Sequence, residues 1–303
     1  MRMKDLGEFK FIDRISKRIR NDRSVFKGIG DDAAVIRKKG GGYLLFSSDM
    51  MVEGVHFNKR RATPSQIGYK ALSVNISDIA AMGGIPKYAV ISIGVPKGLD
   101  IRFADGIYGG VIAAAKRFGV NIVGGDTVSS KGIVIDVAVI GEAAKDELVL
   151  RSGAKAGDII AVTGTLGGSI RGKHLNFTPR LKESRFLVKN FKINSMIDIS
   201  DGLAGDILHI CRASKVGARL YESLIPVAKK AGSLKDALYS GEDFEILFTA
   251  PRRNYKDLEK GFKKRLKTPL SAIGEIVKVK DGVKIVDRLG RASRITGSGF
   301  RHF

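Results

Sequence analysis

The sequence predicts a two-domain α+β protein, because helix and strand patterns occur in both halves without the strict alternation of a doubly wound sheet. A length of 303 residues, 44% of them hydrophobic, is sufficient for about two domains with buried cores. The 37 glycines follow no collagen-like repeat and indicate many tight turns. A polar, turn-rich stretch at residues 144–157 separates the two halves. We therefore predict domains at residues 1–143 and 144–303.

The first half is predicted to contain three helices, at residues 9–20, 64–82 and 100–118. The second is marked by Thr63 as N-cap, Pro64 at the first helical position and Gln66 completing a capping box. Strands are predicted at residues 43–46, 88–95, 121–123 and 133–140. We expect the first of these strands to end in a loop at residues 47–49 and the third to open into a turn at residues 124–126.

The second half is predicted to begin with a strand at residues 158–163, followed by a glycine-rich turn at residues 164–172. A helix is expected at about residues 201–216, ended by Gly217, and a strand at residues 244–249. A helix after Pro251 and a final pair of strands complete the pattern.

Composition predicts a cytoplasmic protein without a membrane span. The charged N-terminus lacks the apolar segment of a signal peptide, and no run of about 18 apolar residues occurs. A single cysteine, Cys211, excludes a disulfide framework within the chain and fits a reducing compartment.

The net charge of +22 allows two interpretations. A basic surface can bind nucleic acid by neutralising phosphates, or it can attract small anionic substrates. The basic residues are spread along the chain, without interleaved aromatic residues or a recognisable nucleic-acid module. We therefore favour a solvated basic surface and keep nucleic-acid binding as the alternative from another functional class.

Two glycine-rich segments resemble nucleotide-binding loops but fit them poorly. Residues 28–33 match the dinucleotide pattern, yet they would place two carboxylates, Asp31 and Asp32, beside a pyrophosphate. Residues 167–174 nearly match a phosphate-binding P-loop, but His174 stands where a Ser or Thr should bind Mg²⁺. Neither segment supports a Rossmann or P-loop assignment.

Aspartates next to small residues form the strongest chemical signal. Asp78 lies one helical turn after Asn75, so both side chains should face the same way. Each aspartate taken alone could simply cap a turn. Together, carboxylates and hydroxyls from several segments form the oxygen ligand set that Mg²⁺ prefers, and clustered carboxylates require several cations. The remaining members of the set are Asp31, Asp32, Asp49, Asp126, Asp198 and Asp201.

The strings that surround these residues resemble the thiamine-monophosphate kinase family over essentially the whole chain, in the right order and spacing. They are GIGDDAAV at 28–35, SSDMMVEGVHF at 47–57, KALSVNISDIAAMG at 70–83, GGDT at 124–127, RSGAKAGD at 151–158, IDISDGL at 197–203, GEDFE at 241–245 and GFRHF at 299–303.

The resemblance implies the aminoimidazole-ribonucleotide-synthetase-like fold. In that fold an N-terminal α/β domain dimerises through its sheet, a C-terminal α+β domain follows, and the active site lies in the cleft between them. The expected substrates are ATP and thiamine monophosphate, with several Mg²⁺ ions, and the expected assembly is a homodimer.

The resemblance also implies site residues. The catalytic residues would be Asp49, Asp78, Asp126 and Arg151. ATP would contact Tyr108, Gly125, Asp126, Arg151 and Ser200. Thiamine monophosphate would contact His56, Glu242 and Phe300. The Mg²⁺ ligands would be Asp32, Ser47, Ser48, Asp49, Asp78, Asp126, Asp198 and Asp201, and we add the neighbouring Asp31 to that set.

The implied reaction is direct in-line transfer of the γ-phosphate of ATP to the phosphate of thiamine monophosphate. That acceptor has a second pKa of about 6, so it needs no strong general base. Three departures from the family pattern occur: Ser47-Ser48 replaces a frequent Thr-Thr, Phe300 replaces Trp or Tyr, and Arg301 replaces an acidic residue. An aminoimidazole ribonucleotide synthetase is the nearest enzymatic alternative.

Overall fold

The computed structural model describes residues 2–295 and Gly299, so the predicted site residue Phe300 lies outside the described residues, as does Arg301. Two sheets organise this part of the chain. Two short helices, α1 (Met3–Leu6) and α2 (Glu8–Ser16), precede the first sheet, and α2 is shorter than the predicted helix at 9–20.

The first sheet has six strands in the order β1-β2-β3-β6-β4-β5. Only β4 and β5 pair in parallel, and β3 pairs with β6 over ten residues. The strands are β1 (Val25–Lys27), β2 (Ala34–Arg37), β3 (Tyr43–Val52), β4 (Ile85–Val95), β5 (Asn121–Ser129) and β6 (Val134–Ala143).

Two long helices, α3 (Pro64–Ala81) and α4 (Ile101–Phe118), cover one face of this sheet and pack against each other. The predicted capping box is confirmed, because the Thr63 hydroxyl accepts from the Gln66 amide while the Gln66 side chain accepts from the Thr63 amide. Burial of aliphatic residues from β3, β6 and α3 forms the core that holds the two layers together.

The second sheet has seven strands in the order β13-β12-β9-β11-β7-β10-β8, and β12 and β9 are its parallel pair among the described strands. The strands are β7 (Asp158–Thr163), β8 (Ser195–Asp198), β9 (Gly217–Tyr221), β10 (Ile246–Pro251), β11 (Leu270–Val277), β12 (Val283–Val286) and β13 (Ala292–Arg294). The helices of this half are α5 (Leu181–Asn190), α6 (Leu203–Ser214), α7 (Leu234–Tyr239) and α8 (Tyr255–Arg265).

Two sequence predictions about loops are wrong. Residues 47–49 continue β3 rather than forming a loop, and residues 124–126 lie within β5 rather than in a turn. The small and acidic residues of these two segments give no strand signal in the sequence. Pairing with a neighbouring strand nevertheless makes both segments strands, since residues 47–49 pair with β6 and residues 124–126 pair with β4. The predicted helix at 201–216 begins later, at Leu203.

Among the described residues, α3 and α4 cover one face of the first sheet, and side chains on the opposite face are exposed. Because successive strand residues point to opposite faces, Ser47 and Asp49 face α3, while Phe46, Ser48 and Met50 face away. Register places Asp126, Ser92, Asp136 and Met50 in one row, so Asp126 also faces away from α3. The exposed apolar residues of this outer face are Phe46, Met50, Tyr88, Val90 and Val128.

The fold class is confirmed as mixed α+β with two sheets. The domain boundary at residue 143 stays a prediction. Within residues 2–295, no helix combines the length and apolarity needed to cross a bilayer.

Candidate active site

A cavity of about 1030 Å³ lies between the two sheets. Its wall combines residues of β3 and α3 with residues of the second half and with α2. Seven of the residues predicted for the site line it: Asp31, Asp49, His56, Arg151, Ser200, Asp201 and Glu242.

Aspartates that are far apart in sequence meet beside this cavity. Asp32 precedes β2, Asp78 lies in the last turns of α3, and Asp198 ends β8. One carboxylate oxygen from each of these three residues lies within 4.8 Å of the others. Asp49 faces them from β3, where its side chain interacts with that of Asp78 and lies near the charge of Asp32. We call Asp32, Asp49, Asp78 and Asp198 the acidic cluster.

Serine hydroxyls hold the acidic cluster from beneath. Ser47 donates to Asp78 and also contacts the side-chain amide oxygen (Oδ1) of Asn75 at 3.2 Å. The prediction that Asn75 and Asp78 face the same way is therefore confirmed. Ser77, on the neighbouring face of α3, donates to Asp198 at 2.5 Å and so links α3 to β8 of the second sheet.

The electrostatics of the acidic cluster disfavour negative charge. Burial and then the neighbouring carboxylates raise the pKa of Asp78, and burial raises the pKa values of Asp32 and Asp49. Burial, together with the charge of Asp32, raises the pKa of Asp198 to about 8. These carboxylates therefore lack sufficient positive charge from the chain itself.

Arg151 is the cation that the chain supplies at this point. Its guanidinium donates to Asp32 at 2.7 Å, and its backbone amide donates to Asp31 at 3.0 Å. Burial opposes its charge, but the nearby carboxylates outweigh that effect and raise the pKa of Arg151, so it stays protonated. Its Nε is buried and has no hydrogen-bond partner among the described residues, while other atoms of Arg151 line the cavity.

The donor set fits a hard divalent cation. The second carboxylate oxygens of Asp31 and Asp32 are buried and have no hydrogen-bond partner within the described chain. Buried, unpartnered carboxylate oxygens are costly unless a cation binds them. The set consists of carboxylate and hydroxyl oxygens, which are the ligands of Mg²⁺.

The structure does not bring four of the predicted residues to this cavity. Ser48 lies on the outer face of the first sheet, where it donates to Asp136 at 3.2 Å, and Asp126 lies on the same face. Tyr108 packs from α4 against the first core. A side chain at Gly125 would collide with the Ile91 carbonyl oxygen, so close approach of β4 requires glycine there.

Asp206 and His209 belong to the site although sequence reasoning missed both. They lie one turn apart on α6, line the cavity, and each places a ligand atom within 4.8 Å of one from Asp201. Burial raises the pKa of Asp206 and lowers that of His209 to about 4. The spacing of Asp206 and His209 at i, i+3 after the Asp201-Gly-Leu string was the signal that could have found them.

A strained turn presents Glu242 to the cavity. Glu242 and Phe244 have φ values of 55° and 49°, which non-glycine residues rarely adopt. Backbone hydrogen bonds hold this conformation, since the Glu242 amide donates to the Ser200 carbonyl at 2.7 Å and the Phe244 amide donates to Ile199 at 2.8 Å. Such strain persists where the surroundings fix a functional geometry.

Glu245 anchors the end of the same turn. It is 1% exposed and accepts two hydrogen bonds of 2.6 Å from Arg180 and one of 2.9 Å from Lys173. The Thr163 hydroxyl donates to it at 2.8 Å. We call Glu245, Arg180, Lys173 and Thr163 the Glu245 network.

Comparison with known proteins adds the family. Models of the AIR synthase related proteins match residues 30–143 with their N-terminal domain and residues 143–287 with their C-terminal domain. The thiamine-monophosphate kinase of Bacillus subtilis (strain 168) is 36% identical, and the match covers 98% of this chain and 100% of that protein. The thiamine-monophosphate kinase of Aquifex aeolicus (strain VF5) is 33% identical over 100% of both chains.

A solved structure agrees with these relatives. AaThiL complexed with AMPPCP and TMP superposes with a TM-score of 0.86 at 31% identity, and the match covers 100% of this chain and 99% of that one. Sequence, domain models and fold therefore agree over nearly the whole length, and the chain belongs to the thiamine-monophosphate kinase family of AIR synthase related proteins.

Proposed function

We propose that the protein transfers the γ-phosphate of ATP to thiamine monophosphate and so forms thiamine diphosphate. One observation of the structure carries the proposal: a buried cluster of carboxylates with too little positive charge opens onto a cavity large enough for two phosphate-bearing molecules. A family relative with an ATP analogue and TMP bound supports both substrates.

The acidic cluster and its neighbours would hold the magnesium ions. Asp31, Asp32, Asp49, Asp78, Asp198 and Asp201 supply the carboxylates, with Ser47 as a hydroxyl. Magnesium bound there would supply the positive charge that screens two phosphate chains from each other. The roles of Ser48 and Asp126 stay proposals, because both residues lie on the outer face of the first sheet.

Transfer itself needs little covalent chemistry from the chain. A terminal oxygen of thiamine monophosphate attacks the γ-phosphorus in line, the bond from that phosphorus to the bridging oxygen of ADP breaks, and ADP leaves with the electron pair. Arg151 lines the cavity, and its guanidinium would place positive charge beside a phosphate oxygen there. Positioning and charge stabilisation then account for the rate.

The thiamine end of the acceptor would lie against His56 and Glu242, which both line the cavity. A carboxylate there can bind the cationic, amine-bearing ring system of thiamine. Phe300, expected to stack on that ring, lies outside the described residues, so its role rests on the family resemblance. Tyr108 and Gly125 likewise stay proposed ATP contacts.

The outer face of the first sheet supports a homodimer. Its exposed apolar residues include Met50, which lies on an inner strand of the sheet and is 54% exposed. Contiguous exposed apolar surface of this kind is typical of protein interfaces. We propose that a second copy of the chain covers this face.

We also propose that the enzyme works in the reducing cytosol, which a chain with a single cysteine fits.

Conversion of the acceptor tests the proposal directly. The protein is incubated with ATP, MgCl₂ and thiamine monophosphate, and phosphorus NMR follows the appearance of a diphosphate. We expect thiamine diphosphate and ADP in equal amounts, with no product when EDTA replaces magnesium. ADP release with the substrate of an aminoimidazole ribonucleotide synthetase, but not with thiamine monophosphate, would contradict it.

A further inference from the structure

Lys70 is a lysine in an unusual place. It lies in the middle of α3, where its neighbours Ile67 and Ala71 are buried in the core, and it is only 1% exposed. Lysine is almost never this buried without a specific partner, because removing an ammonium group from water is costly. Burial accordingly lowers its pKa, although the charge of Glu242 opposes that effect.

The ammonium group of Lys70 has two partners, and both belong to the proposed thiamine-binding part of the cavity. It donates to Glu242 Oε1 at 2.6 Å and to the backbone carbonyl oxygen of His56 at 2.9 Å. His56 follows β3 of the first sheet, whereas Glu242 lies in the strained turn before β10 of the second. One side chain therefore links the two halves of the chain at this wall.

We propose that Lys70 is the positioning residue for the acceptor: it fixes Glu242 and the His56 segment in the arrangement that binds the ring system of thiamine monophosphate. The inference rests on the proposed function and deepens it. Lys70 acts through Glu242 and His56 rather than by transferring a proton or a phosphoryl group.

The distribution of contacts on Glu242 supports this role. Lys70 occupies Oε1, while Oε2 lies 3.9 Å from His174 Nε2, too far for a hydrogen bond. The Glu242 side chain is 21% exposed and lines the cavity. The ion pair thus orients the Glu242 carboxylate through Oε1, and Oε2 can accept a hydrogen bond from a donor on a ligand.

Packing alone does not explain a lysine at this position. On the surrounding face of α3, Ile67 and Val74 are buried apolar residues beside the buried Ser73, and a methionine of similar length would fill the same volume without the desolvation cost. A buried ion pair that is replaceable by apolar residues without loss of stability is retained for specificity when it orients a functional group. The constraint on Lys70 is therefore the position of Glu242.

A double-mutant cycle tests the proposal by steady-state kinetics in both substrates. The variants are Lys70→Met, Glu242→Gln and the double variant, with Lys38→Met as a matched control that removes an exposed lysine paired with Glu142. We expect Lys70→Met to raise the KM for thiamine monophosphate by about tenfold or more, as loss of a charged hydrogen-bond arrangement should. The KM for ATP should stay within about twofold of wild type.

The cycle should be strongly non-additive. If Lys70 acts through Glu242, adding Lys70→Met to Glu242→Gln should change the KM for thiamine monophosphate by less than about twofold. Equal increases in the two KM values, or full additivity of the two substitutions, would overturn the proposal and leave Lys70 a structural residue.

Folding and function are separable in this design. Should Lys70→Met fail to fold because Glu242 is left uncompensated, the cycle is run with Lys70→Gln in its place. Lys70→Gln, which keeps one donor without the charge, should fall between wild type and Lys70→Met in KM. Failure of the wild type to convert thiamine monophosphate would contradict the proposed function; normal conversion with an unchanged KM in Lys70→Met would contradict this inference alone.

Discussion

The acidic cluster and the Glu245 network are both buried assemblies of charge, but they are balanced differently. In the acidic cluster four aspartates, with Asp31 beside them, share one arginine, Arg151. In the Glu245 network a single carboxylate has Arg180 and Lys173 as cations and Thr163 as a further donor. The carboxylates Asp32 and Glu245 are both shielded from water, although the Lys173 side chain is 39% exposed, so the difference does not come from exposure of the carboxylates.

This difference in charge balance distinguishes a candidate metal-binding site, the acidic cluster, from a structural ion-pair network, the Glu245 network. A buried carboxylate surrounded by donors satisfies itself and holds the backbone in place, as Glu245 holds the strained turn of Glu242. Carboxylates that outnumber their cations raise one another's pKa and keep oxygens without partners, which costs stability. That cost is explained if the missing charge arrives with the substrates as magnesium.

The largest effect should come from removing one carboxylate of the acidic cluster. Asp78→Asn should lower kcat by about 10²–10³-fold, because charge stabilisation of the transferring phosphate weakens. Steady-state kinetics with saturating magnesium measure this change. In EDTA at pH 8 the same variant should unfold at a temperature equal to or above that of wild type, because a repelling charge is gone. A large loss of stability would mean that Asp78 is structural, like Glu245.

Glu245→Gln should show the opposite pattern. It leaves Arg180 and Lys173 without their shared carboxylate, so we expect a loss of about 3 kcal/mol in the free energy of unfolding. Urea denaturation with and without magnesium measures it, and the loss should be the same in both conditions. A variant as stable as wild type but inactive would break the distinction between the two regions.

Magnesium should stabilise the protein more at high pH than at low pH. The pKa of Asp198 is raised from its ordinary value of 3.8 to about 8 in the folded chain, mainly by burial, so the folded state binds this proton more tightly than the unfolded state. Its contribution to stability is fully present below about pH 4 and is lost as pH rises through about 8.

Thermal unfolding in EDTA and in MgCl₂, at pH 5.5 and pH 8.5, measures this effect. The increase in Tm caused by magnesium should be larger at pH 8.5, and Asp198→Asn should reduce the difference between the two pH values. An increase in Tm that is the same at both pH values in the wild type would mean that the cluster does not take up its missing charge from the metal.

The smallest effect should come from an exposed ion pair that belongs to neither region. Lys38→Met removes the partner of Glu142 at the surface, and it should change the free energy of unfolding by less than about 0.5 kcal/mol. Urea denaturation beside Glu245→Gln measures it. A change as large as that of Glu245→Gln would show that burial is not the reason why the Glu245 network contributes to stability.

Sequence patterns located the acidic residues but not the elements that carry them. The aspartates stand in short strings beside glycine and serine, which is why the sequence identifies them, and the fold brings Asp32, Asp78 and Asp198 together. The loop predicted at Asp49 is a strand, and its polar side chains on the inner face of β3 give no hydrophobic periodicity from which a strand could be predicted. Asp126 is predicted in the same ligand set as Asp49; the strand register places it on the outer face of the sheet, and its role as a ligand stays a prediction.

Other contacts that sequence reasoning missed join distant segments. Arg180 and Glu245 are 65 positions apart, and Lys70 and Glu242 are 172 apart. No local pattern predicts such pairs, because they form only when separate segments pack together in the fold. Lys70 still carried a signal, since a lysine within the apolar repeat of a helix is unusual and requires a partner.

Crystallography can show whether bound metal supplies the positive charge that the acidic cluster lacks. Crystals grown with MnCl₂ and a non-hydrolysable ATP analogue would show Mn²⁺ by its anomalous scattering. We expect anomalous peaks within coordination distance of the carboxylates of Asp32, Asp78 and Asp198, and we expect these peaks to disappear in Asp78→Asn. Bound nucleotide with no metal at these three side chains would contradict it.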